Sequence, residues 1–534
     1  MLNVTRTDFS GPGRAAVVAG AAMVATSHTL ASAAGLEMLA AGGSAVDAAL
    51  AAVAVQCVVD PHMTGIGGDA FVLYAPKDGP TVALNGSGRA PAGASVAALA
   101  AAGVTGEIPR TSPHAVTVPG AVSAWTRLHA DHGRLELARV LARAIGYARE
   151  GYPVAPRVAF DWAAEATIVA QDPHAAALFQ PGGRVPAAGD RHAQPLLGDR
   201  LEAIARGGAR AFYEGPTAAA MVAHLRSLGG LHTEEDFAAG AQAAFYTAPI
   251  AAAYRGITVE ECPPNGQGLA ALMLLGILAR FDLGAGRTAA DRVHLHAEAS
   301  KLVYHHRDAL IADPAAMGVG VEELLAPATL DRLAGRIDLG RAGVPALWNE
   351  PEHRDTVYVC AVDRDGNMVS FINSIFHAFG STRLDPVSGV LFHSRGSQFR
   401  LIEGHPNAIG PNKRPLHTII PGLLRRDGAG LGVFGVMGGQ YQAAGHAALL
   451  SGLIDRGLDV QAAIDAPRAF GFNGTLEIEP THPEDVLAEL ERRGHVLQRA
   501  AKPIGGAQVI LVDHARGCLI GGSDPRKDGC ALGL

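Results

Sequence analysis

The stretch 355–380, DTVYVCAVDRDGNMVSFINSIFHAFG, constrains the fold more than any other part of this chain. An apolar run over 357–362 meets the polar turn Asp363-Arg364-Asp365-Gly366-Asn367, and a second apolar run covers 368–375. Two strand-like runs around a short loop that contains glycine define a β-hairpin. If Val362 pairs with Met368, then Cys360 faces Ser370, Tyr358 faces Ile372 and Thr356 faces Ser374. Directly opposed side chains share a face, with Cβ atoms roughly 4.5–5.5 Å apart. Two hydroxyls, those of Thr356 and Ser374, are therefore expected side by side at the open end of the hairpin. Taken alone, a threonine at a strand start is an ordinary structural residue. The rest of the chain changes that weighting.

With 534 residues, 48% of them apolar and 18% charged, the chain can bury a large core, as several domains or as one large unit. Its net charge is −7 and no basic arm or face stands out, which argues against a nucleic-acid partner. The five cysteines are scattered, odd in number and without a CxxC pair. A disulfide framework or a zinc site is not expected, and the pattern suits a reducing compartment. The first twenty residues lack a charged-then-apolar signal pattern, and no run reaches the ~18 apolar residues of a membrane span. The reading is a cytoplasmic protein without a membrane partner.

Along the chain, 30–41 reads as a helix stopped by Gly42-Gly43. Ser44-Ala-Val-Asp47 has capping-box spacing and opens a helix through about Val55. Gly65-Ile-Gly-Gly68-Asp-Ala-Phe71 precedes a strand, and the loop Asn85-Gly-Ser-Gly-Arg89-Ala-Pro91 follows another. These glycines do not open a helix after a strand, so they are not a nucleotide-binding loop. The region 118–283 reads as mostly helical. In the helical segment 298–308 (EASKLVYHHRD), His305 and His306 are adjacent and point to different sides, which argues against a metal site. Residues 389–392, 416–424 and 431–437 read as strands. The last ends in Gly438-Gly439 before a helix over 441–453. Backbone N–H groups at such a junction can hold an oxyanion, and a plain tight connection explains the glycines equally well.

Taken in order, AGGSAVDAA, DPHMTGIGGDAF, VPGAVSAW, EASKLVYHHRD, DTVYVCAVDRDGN, GPNKRPL, MGG, DAPR and GGSDPR cover nearly the whole chain. In these pieces the sequence resembles the gamma-glutamyltransferase (gamma-glutamyltranspeptidase) family of N-terminal-nucleophile hydrolases. The resemblance implies an α+β fold, a four-layer αββα sandwich. It also implies a precursor that cuts itself between Asp355 and Thr356. Residues 1–355 and 356–534 would remain together in one domain, as a heterodimer of fragments able to pair again. Thr356 would be the nucleophile, its new α-amine the base, Gly438 and Gly439 the oxyanion pair, and Ser374 the assisting hydroxyl. The hairpin register places Ser374 beside Thr356 independently. No metal or organic cofactor is implied.

The chain departs from the family where a glutamyl head group is held. Ser87 stands at the position of the family's carboxylate-binding Arg, with Arg89 two residues on. Phe376 replaces an Asn, Gln398 an Asp, His417 and Thr418 a pair of serines, and Val357 a second Thr. Loss of a carboxylate that pairs an α-ammonium weakens γ-glutamyl selectivity more than amide cleavage, since a charged hydrogen bond is worth about 1.5–3 kcal/mol. Arg89 is the candidate for binding a substrate carboxylate bidentately. FINSIF, HSRGSQF, PPNGQG and NGSGRAP look like a divergent branch that includes oxamate amidohydrolases. Two activities follow as expectations: cleavage of γ-glutamyl amides such as glutathione, or hydrolysis of a small amide such as oxamate. A third reading, from another class, is a catalytically silent binding protein on the same fold.

Overall fold

The computed structural model describes residues 13–344, 356–472 and 474–534. Two seven-stranded sheets form its centre. The first runs Val17–Ala19, Cys518–Ser523, Gly506–Asp513, Ala429–Met437, Gly422–Arg426, Ile257–Glu261, Ile250–Tyr254. The second runs Ala531–Gly533, Met23–Thr26, Val357–Val362, Met368–Ser374, Asp69–Ala75, Val82–Gly86, Phe245–Thr247. Neighbouring strands pair antiparallel throughout both sheets.

Successive residues of a strand point to opposite faces, and here both faces are covered. Tyr358, Cys360 and Val362 pack between the sheets with Phe71, Leu423, Val433 and Ile510. Val359 and Ala361 point the other way, into the core shared with helix Ala45–Val59. That double burial is why the run over 357–362 is apolar at every position. On the far side of the first sheet, Leu424, Phe434 and Val509 pack with helices Gly268–Leu278, Ala289–Leu310 and Gln442–Ile454. The order of layers is helix, sheet, sheet, helix.

The hairpin has the expected register, with Tyr358 opposite Ile372, Cys360 opposite Ser370 and Val362 opposite Met368. Its turn is anchored by Asp363. One carboxylate oxygen accepts the Asp365 and Asn367 N–H groups, each at 3.0 Å, and the other accepts Ala45 N–H at 3.0 Å. The hairpin is thus tied to the start of helix Ala45–Val59, which also carries the expected Ser44/Asp47 capping box.

The region 118–283 is mostly helical, as expected, and also contains the strands Phe245–Thr247, at the edge of the second sheet, and Ile250–Tyr254, at the edge of the first, with Ile257–Glu261 next to it. Pairing with a sheet edge overrides the helical preference of the Ala-rich segment around Ala251–Ala253. Residues 389–392 form isolated bridges instead of a strand, Leu391 with Leu384 and Phe392 with Gly67. The strand expected over 416–424 begins only at Gly422, since 416–421 leaves the ladder to carry His417 and Thr418 inward.

Candidate active site

Thr356 and Ser374 are both buried, and their hydroxyl oxygens are 3.1 Å apart. Parity with Tyr358 and Ile372 puts both on the face between the sheets. The Nε2 of Gln442, the first residue of helix Gln442–Ile454, lies 3.5 Å from Thr356 Oγ1. Ser374 Oγ accepts the Phe376 N–H at 3.0 Å. Phe376 holds φ at 78°, a conformation that costs a bulky residue energy and persists only where its surroundings enforce it.

Behind this pair lies a buried charged cluster. Arg395 is fully buried, and its guanidinium stacks on the Phe376 ring at 4.2 Å. It donates from Nη1 to Thr418 Oγ1 at 3.0 Å, and Nη2 lies 3.5 Å from Ser374 Oγ. Burial lowers its pKa to about 9, opposed by Asp69, so it remains a cation at neutral pH. Asp69, also fully buried, accepts from Gly88 N–H at 2.8 Å. One of its oxygens lies 3.1 Å from His417 Nε2 and 3.0 Å from His393 Nδ1. Burial would raise the Asp69 carboxyl, but its interactions with His393 and His417 outweigh that and hold it well below the usual range. Burial, joined by Arg395, pushes His417 down to about 3, so its imidazole is neutral and donates from Nε2. Charges this deep cost several kcal/mol each to desolvate and mark a candidate functional site.

The junction after Ala429–Met437 is held in place from below. Gly438 and Gly439 have φ of 120° and 56°, and the short 3₁₀ turn Gly439–Tyr441 feeds directly into the helix bearing Gln442. The buried Arg307 guanidinium bonds the side chains of Gln267 and Gln440, and Gln267 Nε2 donates to the carbonyls of Thr418 (2.7 Å) and Gly439 (3.2 Å). This arrangement fixes the strand-to-helix turn that leads into Gln442, whose side chain reaches Thr356.

Of the residues singled out from sequence, the fold gathers Thr356, Ser374, Phe376, His417 and Thr418 into one linked cluster. Ser87 is buried beside it, its Oγ accepting from Asn265 Nδ2 at 3.0 Å, while Asn265 O accepts His417 N–H at 2.7 Å. Gln398 is buried at the end of the short turn that carries Arg395, its carbonyl accepting from Asn407 at 2.7 Å. Arg89 is not in the cluster. It is exposed and donates to the Asn412 carbonyl at 2.6 Å. Asp355 lies outside the described residues.

Asp69, His393, Arg395, Asn265 and Gln442 were not singled out as site residues. All five fall in glycine-containing pieces (GIGGDAF, HSRGSQF, PPNGQG and MGGQYQ), but nothing local marks such side chains as convergent. One group with metal-ligand chemistry also went unnoticed. Ligand atoms of His294, Glu298 and His495 all lie within 4.8 Å of one another. In this structure His294 bonds His495 and the Asp338 carbonyl, each at 2.8 Å, and Glu298 pairs with Lys301 at 2.6 Å. His305 is exposed, and His306 bonds the Leu302 carbonyl of its own helix.

Two facing antiparallel sheets between helical layers, with a threonine at the head of a central strand, define an α+β sandwich of the N-terminal-nucleophile hydrolase type. The chain belongs to the gamma-glutamyltranspeptidase family, whose sequence profile matches residues 31–534. It is 37% identical over 524 residues to the glutathione hydrolase-like YwrD proenzyme of Bacillus subtilis, covering 96% of this chain and 98% of that one. It is 36% identical over 526 residues to the oxamate amidohydrolase proenzyme of Klebsiella pneumoniae, covering 96% and 98%. Its fold superposes on the crystal structure of a cephalosporin acylase from Bacillus halodurans with a TM-score of 0.92, 39% identity and 99% of each chain covered. The protein is an enzyme of the amide-hydrolysing kind. Among the described residues no helix is long and apolar enough to cross a membrane.

Proposed function

We propose that this chain is a self-processing amidohydrolase in which Thr356 is the nucleophile. One observation carries the reading: the Thr356 hydroxyl stands at the head of a central strand, 3.1 Å from a second buried hydroxyl. In maturation Thr356 Oγ1 attacks the Asp355 carbonyl, the chain shifts from nitrogen to oxygen, and water resolves the ester. The freed α-amine, with a reference pKa of ~7.7–8.0, then serves as base. In turnover an amide substrate acylates Thr356, its amine leaves, and water or an acceptor amine takes the acyl group. Ser374 assists the nucleophile, and the N–H groups of Gly438 and Gly439 stabilise the oxyanion.

The fragments 1–355 and 356–534 would stay associated after the cut. Strands Val357–Val362 and Met368–Ser374 of the second lie between Met23–Thr26 and Asp69–Ala75 of the first. The substrate is an amide whose acyl part carries a carboxylate. That class spans γ-glutamyl amides such as glutathione and small amides such as oxamate. Five free cysteines, three of them buried, favour the cytoplasm as its compartment.

The test is a Thr356→Ala variant followed by gel and intact mass. An uncut chain without amidase activity is the expected result. Cleavage at the same bond in that variant would remove Thr356 from the role.

A further inference from the structure

Arg395 is a fully buried cation with unspent hydrogen-bonding capacity beside the two hydroxyls. Its Nη1 is used by Thr418. Its Nε has no hydrogen-bond partner among the described residues, and Asp69 Oδ2 stops 3.8 Å away. Among the described residues its Nη2 makes only the 3.5 Å contact to Ser374. Nε–H and an Nη–H on the same edge of a guanidinium form a fork that matches a carboxylate bidentately. The fork is held rigidly: Phe376 covers one face of the guanidinium at 4.2 Å, and Asp69 is fixed by Gly88, His393 and His417. A buried guanidinium left with open donors is costly in a purely structural role, and a ligand carboxylate satisfies it.

We infer that Arg395, rather than Arg89, binds the carboxylate of the substrate's acyl group, and that the enzyme acts on monoamides of short dicarboxylic acids. This rests on Thr356 being the nucleophile. The spacing sets the chain length. Nη2 is one hydrogen-bond length from Ser374 Oγ, which is one more from Thr356 Oγ1. A carboxylate on the fork and an amide carbonyl on Thr356 are then joined directly or through one carbon. A γ-glutamyl group, with three carbons between its carboxylate and its amide carbonyl, is too long to span the two without displacing one of them. Asp69 acts as a positioning residue that aims the fork.

The test is steady-state ammonia release by the matured wild-type enzyme from oxamate, malonamate, succinamate and glutaramate. The expected result is highest kcat/KM for one of the first two, with glutaramate at least a hundredfold lower. Equal rates, or a preference for glutaramate, would overturn the assignment. In Arg395→Lys, provided it still separates into two fragments, KM for the best substrate should rise about 10–100-fold with kcat changed much less. An unchanged KM would remove Arg395 from the site. Should that variant not mature, inhibition of the wild-type enzyme by oxalate, malonate, succinate and glutarate gives the same ranking. Absence of inhibition by all four would sink the proposal. Failure of the nucleophile assignment is distinguishable, because it shows as cleavage in Thr356→Ala whatever the substrate ranking.

Discussion

Thr356 and Ser374 are eighteen positions apart in the chain and 3.1 Å apart in the fold, across the open end of one hairpin. The first described residue after 345–355 is therefore delivered to a second hydroxyl by strand register alone.

Replacing Ser374 by Ala removes a partner of the Thr356 hydroxyl and an acceptor for the Phe376 N–H. Loss of one such hydrogen bond is worth about 1–2 kcal/mol, so maturation and turnover should each slow about 5–30-fold. Ser374→Thr keeps the hydroxyl and should retain more of both. Time courses of chain cleavage and of ammonia release check this, and unchanged rates would exclude Ser374.

Gly438→Ala should impair the turn that leads into the helix of Gln442. At φ of 120° a side chain is strained, and an added Cβ would lie 3.0 Å from Gly505 Cα. The expected cost is about 1–3 kcal/mol, read as a lower denaturant midpoint, with slower self-cleavage. A variant that matures at the normal rate would show that this backbone does not contribute.

Asp363→Ala should destabilise the protein by about 2–3 kcal/mol, since three backbone N–H groups lose their acceptor, one of them at the start of helix Ala45–Val59. Asp363→Asn keeps one carbonyl oxygen and should fall between. Chemical denaturation curves measure both, and a loss below 0.5 kcal/mol, on the order of a neutral surface change, would contradict the anchoring role.

Acid should weaken the fold through His417. Its folded pKa, about 3, lies below the ordinary 6.5, so between these values the unfolded chain binds the extra proton. Stability is then full above pH 6.5 and falls as pH drops toward 3, at up to about 1.4 kcal/mol per pH unit for this group. Asp69, held low by its histidines, adds its own loss only below the ordinary carboxyl pKa of 3.8. His417→Gln should flatten the decline between pH 6 and 4 relative to wild type. Identical slopes in denaturant midpoints would show that His417 is not buried neutral.

Much of the setting of Thr356 was legible in the chain itself. A five-residue turn between two apolar runs settles which residues face each other, because the side-chain period of a strand is two. That is enough to bring Thr356 to Ser374 before any tertiary contact is known. The capping box at Ser44 and Asp47 was equally local. The edge strands at 245–261 were not, since their Ala-rich sequence becomes a strand only where a sheet edge offers hydrogen bonds.

Sequence alone thus determined the hairpin, its register, the family and the candidate nucleophile, all of which rest on local hydrogen bonding or on ordered motifs along the chain. Only the tertiary structure decided which charges surround that nucleophile. Asp69, the neighbours His393 and Arg395, and His417 come from three separate segments and meet in the buried interior. Arg89, the carboxylate-binding candidate from the sequence, turns outward to Asn412. A buried charge is tolerated only where partners from distant segments converge on it, and that convergence is a property of packing, not of neighbouring residues.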